Sequence, residues 1–330
     1  MDKVRWGILS TAKIAIEKVI PAMQEGKYCI IKAIASRKLE KAVKTAKRLN
    51  IEKAYGSYEE LLNDSEIDAV YIPLPNHLHV PWAIKAMYAG KHVLCEKPIG
   101  LDAIQAKKLL DVTEKFPKLK VMEAFMYRHH PQWNLVKQKI NENMIGKIHF
   151  MQTFFSYYNI NPNDIRNNPE IGGGGLMDIG CYCISLSRFI FNTNPLRICG
   201  LMEKDSNFKT DRLTNGILKF PNGSSVFTCS TQMVPYQRAK IFGSKGWIEI
   251  EIPFTVPPHR SCKVWIGNGI KKKEIKMEIC NQYTIQGDLF SKSIIEDKDV
   301  SSPLEDAVEN MRVIDAVALS AKSGKWIDIK

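Results

Sequence analysis

Val4-Arg5-Trp6-Gly7-Ile8-Leu9-Ser10-Thr11-Ala12-Lys13-Ile14-Ala15 is the stretch whose reading decides the fold. Its first six residues have the composition of a buried strand. Ser10-Thr11 can cap a following helix. That helix runs through Ile14, Val19, Ile20 and Met23 and stops at Gly26. Cys29 to Ala35 reads as a second apolar strand, and Leu39 to Leu49 as a second helix. Strand, helix and strand within about thirty-five residues form a βαβ unit.

The turn after the first strand is where a dinucleotide pyrophosphate would meet a helix N-terminus. The usual signature there is Gly-x-Gly-x-x-Gly. In this chain the three glycine places, 10, 12 and 15, carry Ser, Ala and Ala, so the spacing of small side chains survives without the glycines. Two readings stay open, a dinucleotide site and an ordinary strand-to-helix turn. The end of the second strand adds a constraint. An NAD-selective site puts Asp or Glu there to bind the ribose 2′-hydroxyl. The residues here are Ser36-Arg37-Lys38, a hydroxyl and two cations that suit a 2′-phosphate, so NADP is favoured over NAD. The alternative is that Arg37 and Lys38 open a solvated helix.

Further along, Ser57 to Asn63 has the pattern of a short helix, with Ser57 and Glu60 as a capping box. Asp68 to Ile72 reads as a strand ending in Pro73-Leu74-Pro75-Asn76-His77, too rich in proline to continue a sheet. Asn76 can cap the next helix, which carries Val80, Ile84 and Met87 on one face and stops at Gly90. The apolar run His92 to Cys95 then leads into Glu96-Lys97-Pro98. A lysine just past the C-terminal edge of a strand in an α/β fold sits where ligands bind. It can act on protons or lower the pKa of a neighbouring phenol; the alternative is a strand-end ion pair made by Glu96. A further helix, about Asp102 to Lys115, precedes the short strand Leu119 to Met122. Strands alternate with helices throughout, which predicts a doubly wound parallel sheet with the loops after Leu9, Ala35, Ile72 and Cys95 on one edge.

From about Glu123 the alternation fails. Pro131 to Asn141 reads as a helix, and Gly146 to Ser156 as a half-exposed strand. A loop with five asparagines and two prolines, Asn159 to Pro169, holds Arg166. Gly172-Gly173-Gly174-Gly175 then opens an apolar helix; such a run lets a ligand approach backbone N–H groups. Asp178 and Tyr182 are spaced i, i+4 on one face of it. A carboxylate beside a phenol can bind and deprotonate a sugar hydroxyl; the alternative is a buried Asp–Tyr hydrogen bond in a helix contact. Leu196 to Ile279 reads as successive strands with turns at Pro221-Asn222-Gly223, Gly243 to Gly246 and Gly267-Asn268-Gly269, an open and largely antiparallel sheet. One broad face of it must be covered by helices or by a second subunit. A last helix, capped by Ser302-Pro303-Leu304-Glu305, shows Leu304, Val308, Met311, Ile314 and Ala318 on one face and stops at Gly324.

Composition excludes several classes. The 330 residues are 45% hydrophobic and 25% charged, enough for two globular domains, with apolar runs well short of a membrane span. The net charge of +12 comes from scattered lysines with no accompanying nucleic-acid motif, so no nucleic-acid or membrane partner is expected. The N-terminus lacks a signal-peptide core, so the eight cysteines are expected as reduced thiols in a cytoplasm. Cys181 and Cys183 lack a matching pair, and no metal site is expected.

Taken together, Glu96-Lys97-Pro98, the stretch Gly172 to Tyr182 and the order of the two domains resemble the glucose–fructose oxidoreductase, inositol dehydrogenase and rhizopine-catabolism (Gfo/Idh/MocA) family over the full length. The wording of Trp6 to Ala12 and of Glu123-Ala124-Phe125-Met126-Tyr127-Arg128 is similar to its sugar and dihydrodiol dehydrogenase branch, as more loosely is Asn163-Asp164-Ile165-Arg166. The resemblance implies an α/β Rossmann domain at residues 1–122. It implies an α+β domain at 123–330 with a large open sheet for substrate binding and oligomerisation, in a homodimer or homotetramer. It implies a catalytic pair, Lys97 and Tyr182, with Asp178 binding substrate and Arg166 closing over it. The pair can meet only in a cleft between the two domains. The family has a His at the Tyr182 position in inositol dehydrogenases and a Tyr in the sugar branch. The resemblance also implies cofactor contacts from Ser10, Thr11, Ala12, Lys13 and Ile14, from Ser36, Arg37 and Lys38, from Pro73, Leu74, Asn76 and His79, and from Glu96 and Lys97. The expected function is NADP-dependent oxidation or reduction of a sugar or related polyol; a cofactor-binding sensor without turnover is the alternative.

Overall fold

The computed structural model describes residues 2–329. They form two compact units, one of residues up to Met126 together with Asn281–Val308, the other of Tyr127–Cys280 with 309 onward. The sequence reading places a single boundary near residue 122. The structure instead returns Asn281–Val308, with the helix Gln282–Ile295, to the first unit. What holds that helix there is polar as well as apolar. Asp288 accepts from the N–H groups of Lys27 (3.0 Å) and Tyr28 (2.9 Å), Ser291 accepts from Trp6 Nε1 (3.1 Å), and Phe290 joins the buried cluster around Trp6 and Met23.

The first unit contains β1 (Val4–Leu9), β2 (Cys29–Ala35), β3 (Lys53–Tyr55), β4 (Ala69–Ile72), β5 (His92–Cys95) and β6 (Val121–Glu123). They hydrogen-bond in the order β3-β2-β1-β4-β5-β6, every pair parallel. β1, β4 and β5 are buried almost throughout, which is why they read as continuous apolar runs rather than alternating ones. The order reverses beside β1, and in open parallel sheets ligands bind at such a switch point, outside the strands' carboxyl ends.

Local details depart from the sequence reading. The helix after β1 passes through a π-helical turn, Ala15–Val19, before Ile20–Gln24, and no side chain caps it, so Ser10 and Thr11 are not its caps. Ser57 does accept from Glu60 N (3.2 Å), but Glu60 returns its bond to Gly56 N (3.1 Å). Asn76 is the first helical residue of Asn76–Tyr88 and Pro75 holds the cap position, because proline's fixed φ ends the extended segment there. In the last helix, Leu304–Ser323, Ala318 is exposed and Val317 takes the buried place instead.

The second unit is built on β7 (Ile148–Tyr158), β8 (Arg197–Lys204), β9 (Asp211–Phe220), β10 (Gly223–Ser230), β11 (Gln232–Gly243), β12 (Trp247–Ile250), β13 (Lys263–Gly267), β14 (Lys272–Lys276) and β15 (Ile327–Asp328). Their order is β14-β13-β12-β11-β7-β10-β9-β8-β15, antiparallel except for the pair β7 and β10. Ile241, Ile248 and Ile266 lie side by side across β11, β12 and β13 and are buried on one face. On the other face Leu201 and Ile217 remain 64% and 42% exposed. No helix among the described residues is long and apolar enough to cross a membrane.

Candidate active site

The loops at the carboxyl ends of β1, β2, β4 and β5 carry the residues singled out in the first unit. Ser10 takes a φ of +152°, a backbone conformation more usual for glycine, and its hydroxyl meets that of Tyr58. Tyr58 comes from the helix Tyr58–Leu62; burial raises its phenol pKa, and Arg37 opposes that rise. Ser10 and Arg37 thus both act on one tyrosine that the sequence reading misses, the first by a hydrogen bond and the second through its charge. Ser36 is buried and its Oγ accepts from Lys38 N (3.4 Å), while Arg37 and Lys38 are exposed cations. The donor set at the end of β2 is hydroxyl and cationic, with no carboxylate among residues 36–38. This chemistry fits a phosphorylated ribose. Ala15 is fully buried, so the third small residue of the β1 turn serves packing. Ala12 and Lys13 are half-buried and exposed respectively, at the start of the helix.

Lys97 is half-buried and stands in a braced loop. Glu96 Oε1 accepts from Tyr71 OH (2.6 Å) and its Oε2 from Lys97 N (3.3 Å). Glu123, 4% exposed, accepts from Ile99 N (2.7 Å). His79 is 1% exposed, and its two ring nitrogens lie 2.7 Å from carbonyl oxygens, Nδ1 from Pro98 and Nε2 from Leu74. Burial pulls the imidazole down to about 4, so at neutral pH its one N–H donates to one carbonyl at a time. The ring is therefore turned into the protein. It joins the loop after β4 to the loop after β5 and has no nitrogen left for a ligand, contrary to the contact expected of it. Leu74 and Pro73 are buried as well, whereas Asn76 is half-buried.

In the second unit the helix Cys181–Phe191 is preceded by a π-helical turn, Leu176–Gly180. π-Turns inside helices recur at functional sites. Asp178 lies in that turn and Tyr182 in the first turn of the α-helix. Two residues four apart on a helix are separated by ~6 Å, and two residues two apart on a strand by ~6.6 Å. β7 uses this match. The Phe155 ring lies 5.8 Å from that of Tyr182, and Tyr157, two residues on, donates its hydroxyl to Asp178 Oδ2 (2.7 Å). Tyr182 is 5% exposed, with its ring also against Tyr127 (5.7 Å) and Phe254 (5.5 Å). Arg166 Nε reaches the same Asp178 oxygen at 3.0 Å, and its N and Nη1 both reach Asp164 Oδ1. Asp178 is the largest influence raising the Arg166 pKa, while burial, with Asp178 second, raises the Tyr157 phenol.

The glycine run has another purpose than the one expected. Gly173 N and Gly174 N donate to Asn168 O (2.9 Å) and Arg166 O (2.8 Å), so these amides are taken by the chain's own loop. A side chain on Gly173 would collide with those carbonyls, and one on Gly174, at φ +117°, with Asp211 Oδ1. Asp211 also accepts from Leu176 N (2.7 Å) and Thr214 Oγ1 (2.8 Å), and its burial raises its pKa to about 6. The glycines thus let the Arg166 loop and Asp211 close onto the start of the helix. No local signal marks Asp211, which opens β9. Tyr157 lies one residue past the strand as read from the sequence, Gly146 to Ser156; in the structure that strand runs on to Tyr158, which sets Tyr157 two residues beyond Phe155.

Comparison with known proteins gives the family of the chain. The family model described as "Oxidoreductase family, NAD-binding Rossmann fold" (GFO/IDH/MocA) matches residues 4–125, and the GFO/IDH/MocA C-terminal domain model matches residues 133–249. The chain is 40% identical to an uncharacterized oxidoreductase of Rhizobium meliloti, over 99% of both chains. It is 32% identical to a D-xylose 1-dehydrogenase (NADP+) of Haloferax volcanii, over 98% of this chain and 99% of the other. Its fold is similar to the crystal structure of a 3-ketoreductase from Actinomadura kijaniata in complex with NADP and TDP-benzene, with TM-score 0.91, 28% identity, and coverage of 96% of this chain and 98% of that one.

Proposed function

The chain belongs to the GFO/IDH/MocA oxidoreductase family, and from that premise we propose that it uses NADP to interconvert a carbinol and a carbonyl carbon of a sugar or related polyol. The observation that carries the substrate class is Asp178, paired with Arg166 and Tyr157 one helical turn from Tyr182. The sugar dehydrogenase and the NADP-bound ketoreductase among its relatives support it. The first unit is the cofactor domain, with the β1 turn for the pyrophosphate and Ser36, Arg37 and Lys38 for the 2′-phosphate. The second is the substrate domain. The cofactor, when bound, accepts a hydride at C4 of its nicotinamide as NADP or supplies one there as NADPH. Tyr182 exchanges the proton of the reacting hydroxyl as general acid–base. Lys97 lowers the phenol's pKa and steadies the alkoxide-like oxygen. Asp178 orients a neighbouring substrate hydroxyl, with Arg166 beside it. Incubation with NADP and a panel of aldoses and polyols, followed by absorbance of the reduced cofactor, tests the function. NADP binding with no reduction by any member would favour the sensor reading.

Cofactor preference follows from the same residues. NADP should bind more tightly than NAD, and Arg37→Ala should weaken NADP by about 1.5–3 kcal/mol while changing NAD far less. Calorimetric titration of both cofactors measures this, and tighter binding of NAD would rule it out.

The outer sheet face with Leu201 and Ile217 is assigned to self-association, as a homodimer or homotetramer, since an exposed apolar sheet face is unfavourable in water. Light scattering should therefore give a multiple of 37.5 kDa, and a monomer at micromolar concentration would refute the assignment. The eight cysteines are free thiols, which fits a reducing compartment such as the cytoplasm.

A further inference from the structure

Tyr157 has no part in the proton exchange described above, yet its hydroxyl is committed to the carboxylate that orients substrate in that scheme. We propose that Tyr157 is a positioning residue: together with Arg166 it holds Asp178 as an ionised, oriented acceptor for a substrate hydroxyl. The proposal rests on the reading of Asp178 as the substrate-orienting group.

The geometry carries it. Tyr157 OH and Arg166 Nε both donate to Asp178 Oδ2, at 2.7 and 3.0 Å, from two different elements, β7 and the loop after it. Two donors converging on one oxygen from fixed supports define the rotation of the carboxyl group as well as its charge. Each support is itself held. Tyr157 lies in β7 between Ser156 and Tyr158, which both pair with β11 on either side of an irregularity in register, and Arg166 is bound through its own N–H to Asp164 and through its carbonyl to Gly174 N. The charged and titratable groups around Asp178 in this unit include Tyr157 from β7, Arg166 and Asp164 from the loop, and Tyr182 one turn on along its own helix. Of these, Asp164 opposes ionisation of Asp178 and Arg166 favours it. Burial and the neighbouring carboxylate keep the Tyr157 phenol protonated, so it remains a donor and does not compete with Tyr182 for the substrate's proton.

Tyr157→Phe keeps the ring and removes only the donor. Carbon-13 NMR of the Asp178 carboxyl, assigned by its loss in Asp178→Asn, should show its pKa about one unit higher in Tyr157→Phe than in the unaltered protein. The acid limb of kcat/KM should move up by the same amount. KM for the substrate should rise about tenfold, with kcat changed much less and NADP affinity unaltered. In an Asp178→Asn background the Tyr157→Phe change should add little, because its target is already gone. An unmoved Asp178 titration and KM in Tyr157→Phe, beside a crippled Asp178→Asn, would overturn the Tyr157 proposal alone. An Asp178→Asn protein with unchanged KM would overturn the substrate role of Asp178 itself.

Discussion

Tyr182→Phe is expected to lower kcat by roughly 10²–10⁴-fold, the usual worth of a positioned general acid–base. The substitution isolates the hydroxyl. The Tyr182 ring is enclosed by Tyr127, Phe155 and Phe254, and phenylalanine fills the same space with the same edge and tilted contacts. Stability should therefore change by only about 0.5–1.5 kcal/mol, that of one hydrogen bond. NADP affinity should be nearly unchanged, because the expected cofactor contacts belong to the first unit. Steady-state kinetics beside a cofactor titration and a thermal melt separate these quantities. Near-normal turnover in the variant would show that the proton goes elsewhere.

Lys97→Met is expected to produce a loss of the same order through a different cause. Methionine keeps the length of the stem and removes the charge that favours the phenolate. Without that charge the phenol should titrate higher, so the limb of kcat/KM that requires the base form should move to more alkaline pH. The substitution leaves in place three braces of the loop, Glu96 with Tyr71, Glu123 with Ile99 N, and His79 with the carbonyls of Pro98 and Leu74. In the proposed scheme Lys97 and Tyr182 act on one proton, and the double variant should then lose little more than either single one. Losses that multiply would mean that the two residues work independently.

Much of this was legible in the chain. Parallel strands buried on both faces have to be apolar throughout, and the helices between them have to keep one apolar stripe, so most of Val4 to Met122 could be divided into elements; the edge strand β3 was missed, because its three residues are only half-buried and carry no apolar run. The spacing of Asp178 and Tyr182 survived because a turn of either helix type returns residues four apart to one side. The π-helical turns themselves were not legible: one extra residue per turn leaves no mark in the apolar pattern. Nor was the return of Asn281–Val308 to the first unit, since its anchors, Asp288 and Ser291, bond residues more than 250 positions away. The glycine run was read as room for a ligand, whereas its neighbours are Asp211 and the carbonyls of Arg166 and Asn168. A glycine's vacancy shows in sequence, but what fills it is decided by tertiary contacts. His79 was misplaced for the same reason. It was expected to touch the cofactor, but both ring nitrogens lie against the carbonyls of Pro98 and Leu74, an arrangement set by tertiary contacts.

The most direct test is a single comparison: NADPH formation from NADP by the unaltered protein and by Tyr182→Phe, across one panel of aldoses and polyols, with NADP binding measured for both. The expected result is reduction of NADP by at least one member of the panel in the unaltered protein, a loss of roughly 10²–10⁴-fold in the variant, and equal NADP affinity. NADP binding without reduction by any member, or equal reduction rates in the two proteins, would contradict it.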